Sequence, residues 1–108
     1  MPTQLIANHR HELNILSDCD PVVFKALVNS KREIVECLLE ILDNVANLRL
    51  ELDNESLVKL SKKYKFFEKV LAFKSLTAAK AFLLKNIETT QSSIKAALPL
   101  INNNDQPV

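Results

Sequence analysis

The sequence predicts an all-α fold, and three observations support that prediction. Apolar residues recur at steps of three and four along most of the chain, which is the spacing of amphipathic helices. Glycine is absent, which argues against the tight hairpins of a β-protein. Asn, Asp, Ser or Pro separate the apolar stripes, and these residues begin and end helices. The stripes add up to about six helices and no convincing strand.

Three helices are predicted in the first half of the chain. The first spans about residues 3–16, and Asp20 followed by Pro21 predicts the N-cap and first turn of the second. Ser30 with Glu33 forms a capping-box pattern that predicts the start of the third. Their inward faces are predicted from apolar and histidine positions at helical spacing: Leu5, His9, Leu13, Leu16, Phe24, Leu27, Val28, Ile34, Leu38, Ile41, Val45, Leu48 and Leu52.

The second half predicts three more helices after a stop and restart at residues 53–56. Ser75 or Thr77 is the predicted cap of the fifth helix, Thr90 that of the last, and Pro99 the terminator of the last. The inward residues are again predicted from the spacing: Leu57, Leu60, Tyr64, Phe66, Phe67, Val70, Leu71, Phe73, Ala81, Phe82, Leu84, Ile94, Ala97 and Leu98.

Length and composition indicate one domain. We expect a helical bundle over residues 1–101 and a polar tail or the start of a linker over residues 102–108. No apolar run approaches the ~18 residues of a membrane span, and the N-terminus lacks the apolar stretch of a signal peptide. An intracellular, cytoplasmic protein is therefore expected. Cys19 and Cys37 lack CxxC spacing, so both are expected to be reduced thiols.

The missing glycine also excludes P-loop and Rossmann sites, in which the backbone must approach a phosphate closely. Helix ends must then use asparagine in the left-handed conformation, with Asn29 and Asn54 as candidates. His9 and His11 could be combined with a cysteine as metal ligands, but residues two apart point in different directions on a helix. No motif supplies a nucleophile with a base and an oxyanion site. We therefore expect no enzyme, no catalytic residue, no metal and no cofactor.

Charge is segregated along the chain. Residues 33–55 contain seven acidic residues and one arginine, whereas residues 56–85 contain eight lysines and one glutamate. The near-neutral total of +1 thus hides a dipolar molecule. The basic part is densest in the stretch LVKLSKKYKFFEKV of residues 57–70, which holds five lysines: Lys59, Lys62, Lys63, Lys65 and Lys69.

This lysine run allows three interpretations. Closely spaced lysines can bind a nucleic-acid backbone by releasing counterions, can form a solvated helix face, or can dock an acidic protein. Tyr64 and Phe67 fall in the predicted core stripe, so they are poorly placed to stack on bases. Arginine, which suits forked phosphate contacts, is absent from the run. A small helical nucleic-acid-binding regulator that uses the Lys59 to Lys69 face stays as the alternative function, although nucleic acid is the less favoured partner.

The order of these features resembles a caspase recruitment domain, a six-helix member of the death-fold superfamily. The stretch HRHELNILSDCDPVVFKALVNS resembles the opening of that family, with a basic first helix, a kink and an apolar second half. The stretch KFFEKVLAFKSLTAAKAFLLKNIETTQSSIKAAL resembles helices four to six of the family. The resemblance implies a six-helix antiparallel bundle with Greek-key topology and a kinked first helix.

The function that the resemblance implies is non-catalytic. Domains of this family bind domains of their own kind in apoptotic and innate-immune signalling, so the expected partner is such a domain in a caspase, receptor or adaptor, or a second copy of this chain. A membrane partner is not expected. The implied basic surface, on helices one and four, comprises Arg10, Lys59, Lys62, Lys63, Lys65 and Lys69. The implied acidic surface, on helices two and three, comprises Asp18, Asp20, Glu33, Glu36 and Glu40.

Overall fold

The computed structural model describes residues 2–48 and 54–105, and within them the chain is helical without a strand. The all-α prediction is therefore confirmed. Seven helices follow one another: α1 Pro2–Asn8, α2 Arg10–Leu16, α3 Pro21–Ser30, α4 Arg32–Leu48, α5 Asn54–Leu71, α6 Leu76–Lys85 and α7 Ile87–Asp105. No helix in the described ranges is long and apolar enough to cross a membrane.

The core is built around two long helices, α4 and α7, each of which packs against all the others. Apolar side chains from the facing stripes interlock there, and burial of such surface is the main favourable term in folding. The largest fully buried side chains include Phe24, Phe67, Ile6, Leu13, Leu16, Ile34, Leu38, Ile41, Leu83, Ile94 and Ile101. Most predicted inward positions are thus confirmed, whereas the side chains of Leu48, Leu52, Leu57 and Leu60 lie outside the described set.

The predicted first helix is divided in two at His9. The backbone of His9 leaves the helical region, with φ −114° and ψ 12°, and its carbonyl accepts the first hydrogen bond of α2 from the amide of Leu13 at 2.9 Å. The next boundary matches the prediction. Pro21 opens α3, and the Asp20 carboxylate accepts a 3.0 Å hydrogen bond from the amide of Val23, which satisfies one of the free donors of the first turn.

The boundary between α3 and α4 was predicted wrongly. Ser30 does not cap α4, because it is the last residue of α3 and its hydroxyl donates to the carbonyl of Leu27 at 3.0 Å. The chain turns through the extended backbone of Lys31, with φ −137° and ψ 115°. Asn29 and Asn54 are not left-handed helix ends either, since Asn29 lies within α3 and Asn54 begins α5. The described residues contain no positive φ, so an extended residue replaces the left-handed turn.

At α6, the predicted cap is correct and the predicted inward face is partly wrong. The Ser75 hydroxyl accepts a 3.1 Å hydrogen bond from the amide of Ala78, so Ser75 rather than Thr77 is the N-cap. Ala79 and Leu83 are buried, whereas Ala81 is exposed. The half-buried flank of α6 belongs to Phe82 and Leu84. Ala79 and Leu83 lie two residues before and two residues after Ala81, so the buried face of α6 is offset from the predicted one.

The last helix is longer than predicted at both ends. It begins at Ile87, so Thr90 is not its cap but a buried residue whose hydroxyl donates to the carbonyls of Leu83 and Asn86 at 3.0 and 2.8 Å. Pro99 lies inside the helix instead of ending it. Proline removes one backbone hydrogen bond, but its neighbours Leu98 and Ile101 are buried, and their packing holds the helix together. The helical backbone continues to Asp105; the domain boundary at residue 101 stays a prediction.

Candidate functional site

Four acidic residues lie on the face of α4 that points away from the core. Their steps of three, four and three residues place Glu33, Glu36, Glu40 and Asp43 on one side of the helix, opposite the buried stripe that includes Leu38. Glu33 and Asp43 are exposed, and the other two are half-buried. We call these four residues the α4 acidic stripe. It unites three of the five predicted acidic positions and adds Asp43.

The stripe concentrates negative charge that the chain neutralises only in part. Arg32 donates from Nε to Oε1 of Glu36 at 3.0 Å, an exposed pair within one helix turn. The Oε2 atom of Glu40 is buried without a hydrogen-bond partner among the described residues. Burial raises the pKa of Glu40, and the nearby carboxylates of Glu36 and Asp43 raise it further. The exposed carboxylates of Glu33 and Asp43 are the members of the stripe that a positive charge on a partner can reach.

The other two predicted acidic residues lie on the connection between α2 and α3. Asp18 accepts a 3.3 Å contact from Nζ of Lys95 on α7, while Asp20 caps α3 as described above. Both are exposed, yet both already have a partner in the fold. The predicted acidic surface thus comprises two groups, of which the α4 acidic stripe is the larger.

The lysine run divides in a similar way. Lys65 and Lys69 are exposed and lie one turn apart on α5, and we call them the α5 lysine face. Lys63 lies on the opposite flank, half-buried, and its Nζ donates to the carbonyl of Ser92 on α7 at 3.1 Å. The side chains of Lys59 and Lys62 lie outside the described set. The structure therefore places two of the five lysines together on an outward surface.

Arg10 and the aromatic residues of the run complete the predicted basic surface. Arg10 is half-buried at the first position of α2. Phe66 and Phe67 are buried, at 8% and 0% exposure, and Tyr64 is half-buried against the core. The prediction that Phe67 belongs to the core is confirmed, and these rings are not arranged as an outward stacking platform. Phe73, predicted to point inward, is instead 39% exposed.

Sequence reasoning missed a half-buried polar contact that joins two distant parts of the chain. The side-chain amide of Gln91 on α7 donates to the carbonyls of Leu16 and Cys19 at 2.9 and 2.6 Å. Leu16 is the last residue of α2, where helix geometry leaves carbonyls without helical partners, and Cys19 lies on the connection to α3. A glutamine within a polar helix segment gives no sequence signal for such a role.

The thiols and imidazoles offer little reactive chemistry. Cys19 and Cys37 are both free, in agreement with the prediction. Burial raises the pKa of the Cys37 thiol to about 12, and burial also raises the pKa of Cys19. Nδ1 of His9 lies 3.3 Å from Oε1 of Glu12. Within residues 2–48 and 54–105, no three of the His, Cys, Asp and Glu side chains form a group that could hold a metal ion.

Comparison of the chain with protein-family models, with curated proteins and with solved structures found no match. Its function has to be argued from the helices and from the two charged surfaces.

Proposed function

We propose that this chain is a non-catalytic interaction module of the caspase-recruitment-domain type, acting in apoptotic or innate-immune signalling in the cytoplasm. The proposal includes an antiparallel bundle with Greek-key topology, in which α1 and α2 together form a kinked first helix. The break at His9 supports this reading, because counting α1 and α2 as one leaves six helices. The partner would be another domain of the same kind or a second copy of this chain.

The observation that carries the proposal is the opposite charge of two solvent-facing surfaces on neighbouring helices. The α4 acidic stripe and the α5 lysine face belong to helices that pack against each other, and both point away from the core. Complementary charged patches speed encounter and select partners. A molecule that carries both signs can also bind its own kind head to tail.

A protein partner suits the α5 lysine face better than nucleic acid does. Counterion release depends on how many lysines reach the phosphates, and Lys63 is already engaged with Ser92. The rings within the lysine run, those of Tyr64, Phe66 and Phe67, are buried or half-buried and so are poorly placed to stack on bases. Nucleic-acid binding is therefore the second candidate and becomes an outcome of the test.

The test reverses the charge of the α5 lysine face. Purified protein would be titrated against a panel of purified caspase recruitment domains and against itself, with fluorescence anisotropy as the readout. Lys65→Glu with Lys69→Glu should weaken binding to the responding domain at least about tenfold, since like charges placed opposite each other cost more than 1.4 kcal/mol. Lys80→Glu with Lys85→Glu on α6 has the same change in net charge and should bind like the wild type.

A second arm restores the charge complementarity. If the chain binds itself, neither the Lys65→Glu/Lys69→Glu variant nor Glu33→Lys with Glu36→Lys should self-associate, whereas the two variants should bind each other when mixed. Absence of binding to every domain tested, or equal binding by both double variants, would overturn the proposal. Strongly salt-dependent binding to duplex DNA and single-stranded RNA of unrelated sequence would instead establish the nucleic-acid alternative.

A further inference from the structure

An open apolar pocket lies where α4 meets the end of α5 and the start of α6. Its volume is about 230 Å³. A cavity of about 150 Å³ is already large enough to admit benzene. The pocket can therefore receive a branched aliphatic side chain. Its walls are formed by Leu39, Val70, Leu71, Phe73, Lys74, Ser75, Leu76 and Ala79.

Phe73 gives this pocket a rigid aromatic wall. It is the outermost of three phenylalanines in contact: the Phe82 ring centroid lies 5.6 Å from that of Phe66 and 5.1 Å from that of Phe73. Phe66 is anchored in the core at 8% exposure, whereas Phe73 is 39% exposed. An aromatic ring held in this way offers a large apolar contact area at low entropic cost, which is typical of binding hot spots.

The α4 side of the pocket is bordered by negative charge. Leu39 forms the wall there, and Glu36 and Asp43 lie one helix turn before and after it, at a Cβ separation of about 5–6 Å. Glu36 is paired with Arg32, whereas the exposed carboxylate of Asp43 accepts a 3.4 Å contact from the neutral side-chain amide of Asn47. The pocket therefore suits a partner helix whose apolar side chain is followed, one turn later, by a cation.

The outer face of α3 has this chemistry. At 78%, Val22 is the most exposed of the large hydrophobic side chains described. Lys25 is exposed three residues later on the same face and is the one charged residue in the sequence of α3. Exposed Ala26 extends the apolar surface. The main packing of α3 is against α2, α4 and α7 and not against the α5 and α6 walls of the pocket.

We propose that a second copy of this chain occupies the pocket, with Val22 of one copy inserted between Leu39 and Phe73 of the next and Lys25 placed against Asp43. The two surfaces differ, so the contact is heterologous and can continue into a chain or close into a ring. The inference extends the proposed function, because it names a second copy as partner and adds an apolar anchor to the charged surfaces.

The test is complementation between two variants that block opposite ends of the contact. Sedimentation velocity would follow assembly from micromolar to millimolar concentration. Val22→Glu and Phe73→Glu should each weaken self-association at least about tenfold, because a charge would have to enter an apolar site. A mixture of the two should form a one-to-one dimer, since one intact end of each copy still fits the other. Ala81→Glu, on an exposed position of α6, is the matched control and should assemble like the wild type.

A charge swap keeps the test valid if Phe73→Glu fails to fold. Lys25→Glu and Asp43→Lys change two exposed residues, should each weaken assembly, and should bind each other when mixed. A wild-type chain that stays monomeric throughout the concentration range, or variants that assemble normally, would overturn this inference. The Lys65→Glu/Lys69→Glu variant separates this inference from the proposed function. If that variant loses partner binding while Val22→Glu keeps it, the charged surfaces act alone and this inference fails. If Val22→Glu loses binding while the lysine variant keeps it, the pocket contact stands and the proposed role of the charged surfaces fails.

Discussion

Replacing Gln91 tests whether one side chain holds the end of α2 against α7. Gln91→Met keeps an unbranched side chain of similar length and removes both hydrogen bonds to the carbonyls of Leu16 and Cys19. A neutral hydrogen bond contributes about 0.5–1.5 kcal/mol net. Two such bonds at a half-buried site give an expected loss of about 1–3 kcal/mol in the free energy of unfolding.

Gln91→Glu tests the same contact by replacing the donating amide with a carboxyl group that can carry a charge. At neutral pH it would place a carboxylate oxygen against two carbonyl oxygens, so it should destabilise the fold more than Gln91→Met does. The folded-state pKa of the new carboxyl would be raised above its unfolded value of about 4.3. The additional loss should therefore be complete above the folded-state pKa and disappear as the pH falls below the unfolded value.

Urea unfolding followed by far-UV circular dichroism, at pH values on both sides of that range, measures these differences. Ser92→Ala, at an exposed neighbouring position, is the control and should change stability little. Equal unfolding midpoints for the wild type and both Gln91 variants would refute the argument, because the hydrogen bonds from the Gln91 amide to the two carbonyls would then contribute nothing to stability.

Two further predictions concern titration and reactivity. Glu12 receives hydrogen bonds from Lys31 at 3.0 Å and from His9, and these contacts lower the pKa of its carboxyl from the ordinary value of 4.5. At pH values where this carboxyl is ionised, Glu12→Gln should therefore reduce the free energy of unfolding by less than about 1 kcal/mol. The difference from the wild type should vanish as the pH falls through the lowered pKa, and denaturant titrations at several pH values would show whether it does. Cys37 is fully buried and its pKa is raised to about 12, so iodoacetamide at pH 8 should label Cys19 first and Cys37 only after unfolding. Equal labelling rates in the folded protein, followed by mass spectrometry, would contradict the burial of Cys37.

Local sequence signals predicted those features of the fold that local chemistry determines. Asp20 and Ser75 cap helices because their side chains reach an amide three residues ahead, whatever the rest of the chain does. Ser30, Thr90 and Pro99 carry equally good local signals, but long-range packing decides their roles. Thr90, for example, is 2% exposed, and its hydroxyl closes the turn between α6 and α7 from inside the last helix. Tertiary contacts of this kind cannot be read from a window of four residues.

The candidate surfaces were predictable to a different extent. Helical spacing places Lys63 four and seven residues before the buried Phe67 and Val70, so its position on the inner flank was contained in the sequence. The α4 acidic stripe follows from the same spacing, including Asp43. The pocket depends on how the end of α5 and the start of α6 meet α4, and that arrangement has no local signal.

The division of the lysine run decides which substitutions can report on binding. Lys65 and Lys69 are exposed, so reversing their charge changes the outward surface while the core contacts of α5 stay in place. Lys63 also holds α5 against α7 through the carbonyl of Ser92, so its reversal would set a carboxylate against a carbonyl and alter the fold as well as the charge. A loss of partner binding in a Lys63 variant would therefore confuse two causes. The same loss in the Lys65 and Lys69 variant, with an unchanged unfolding midpoint, can only come from the surface.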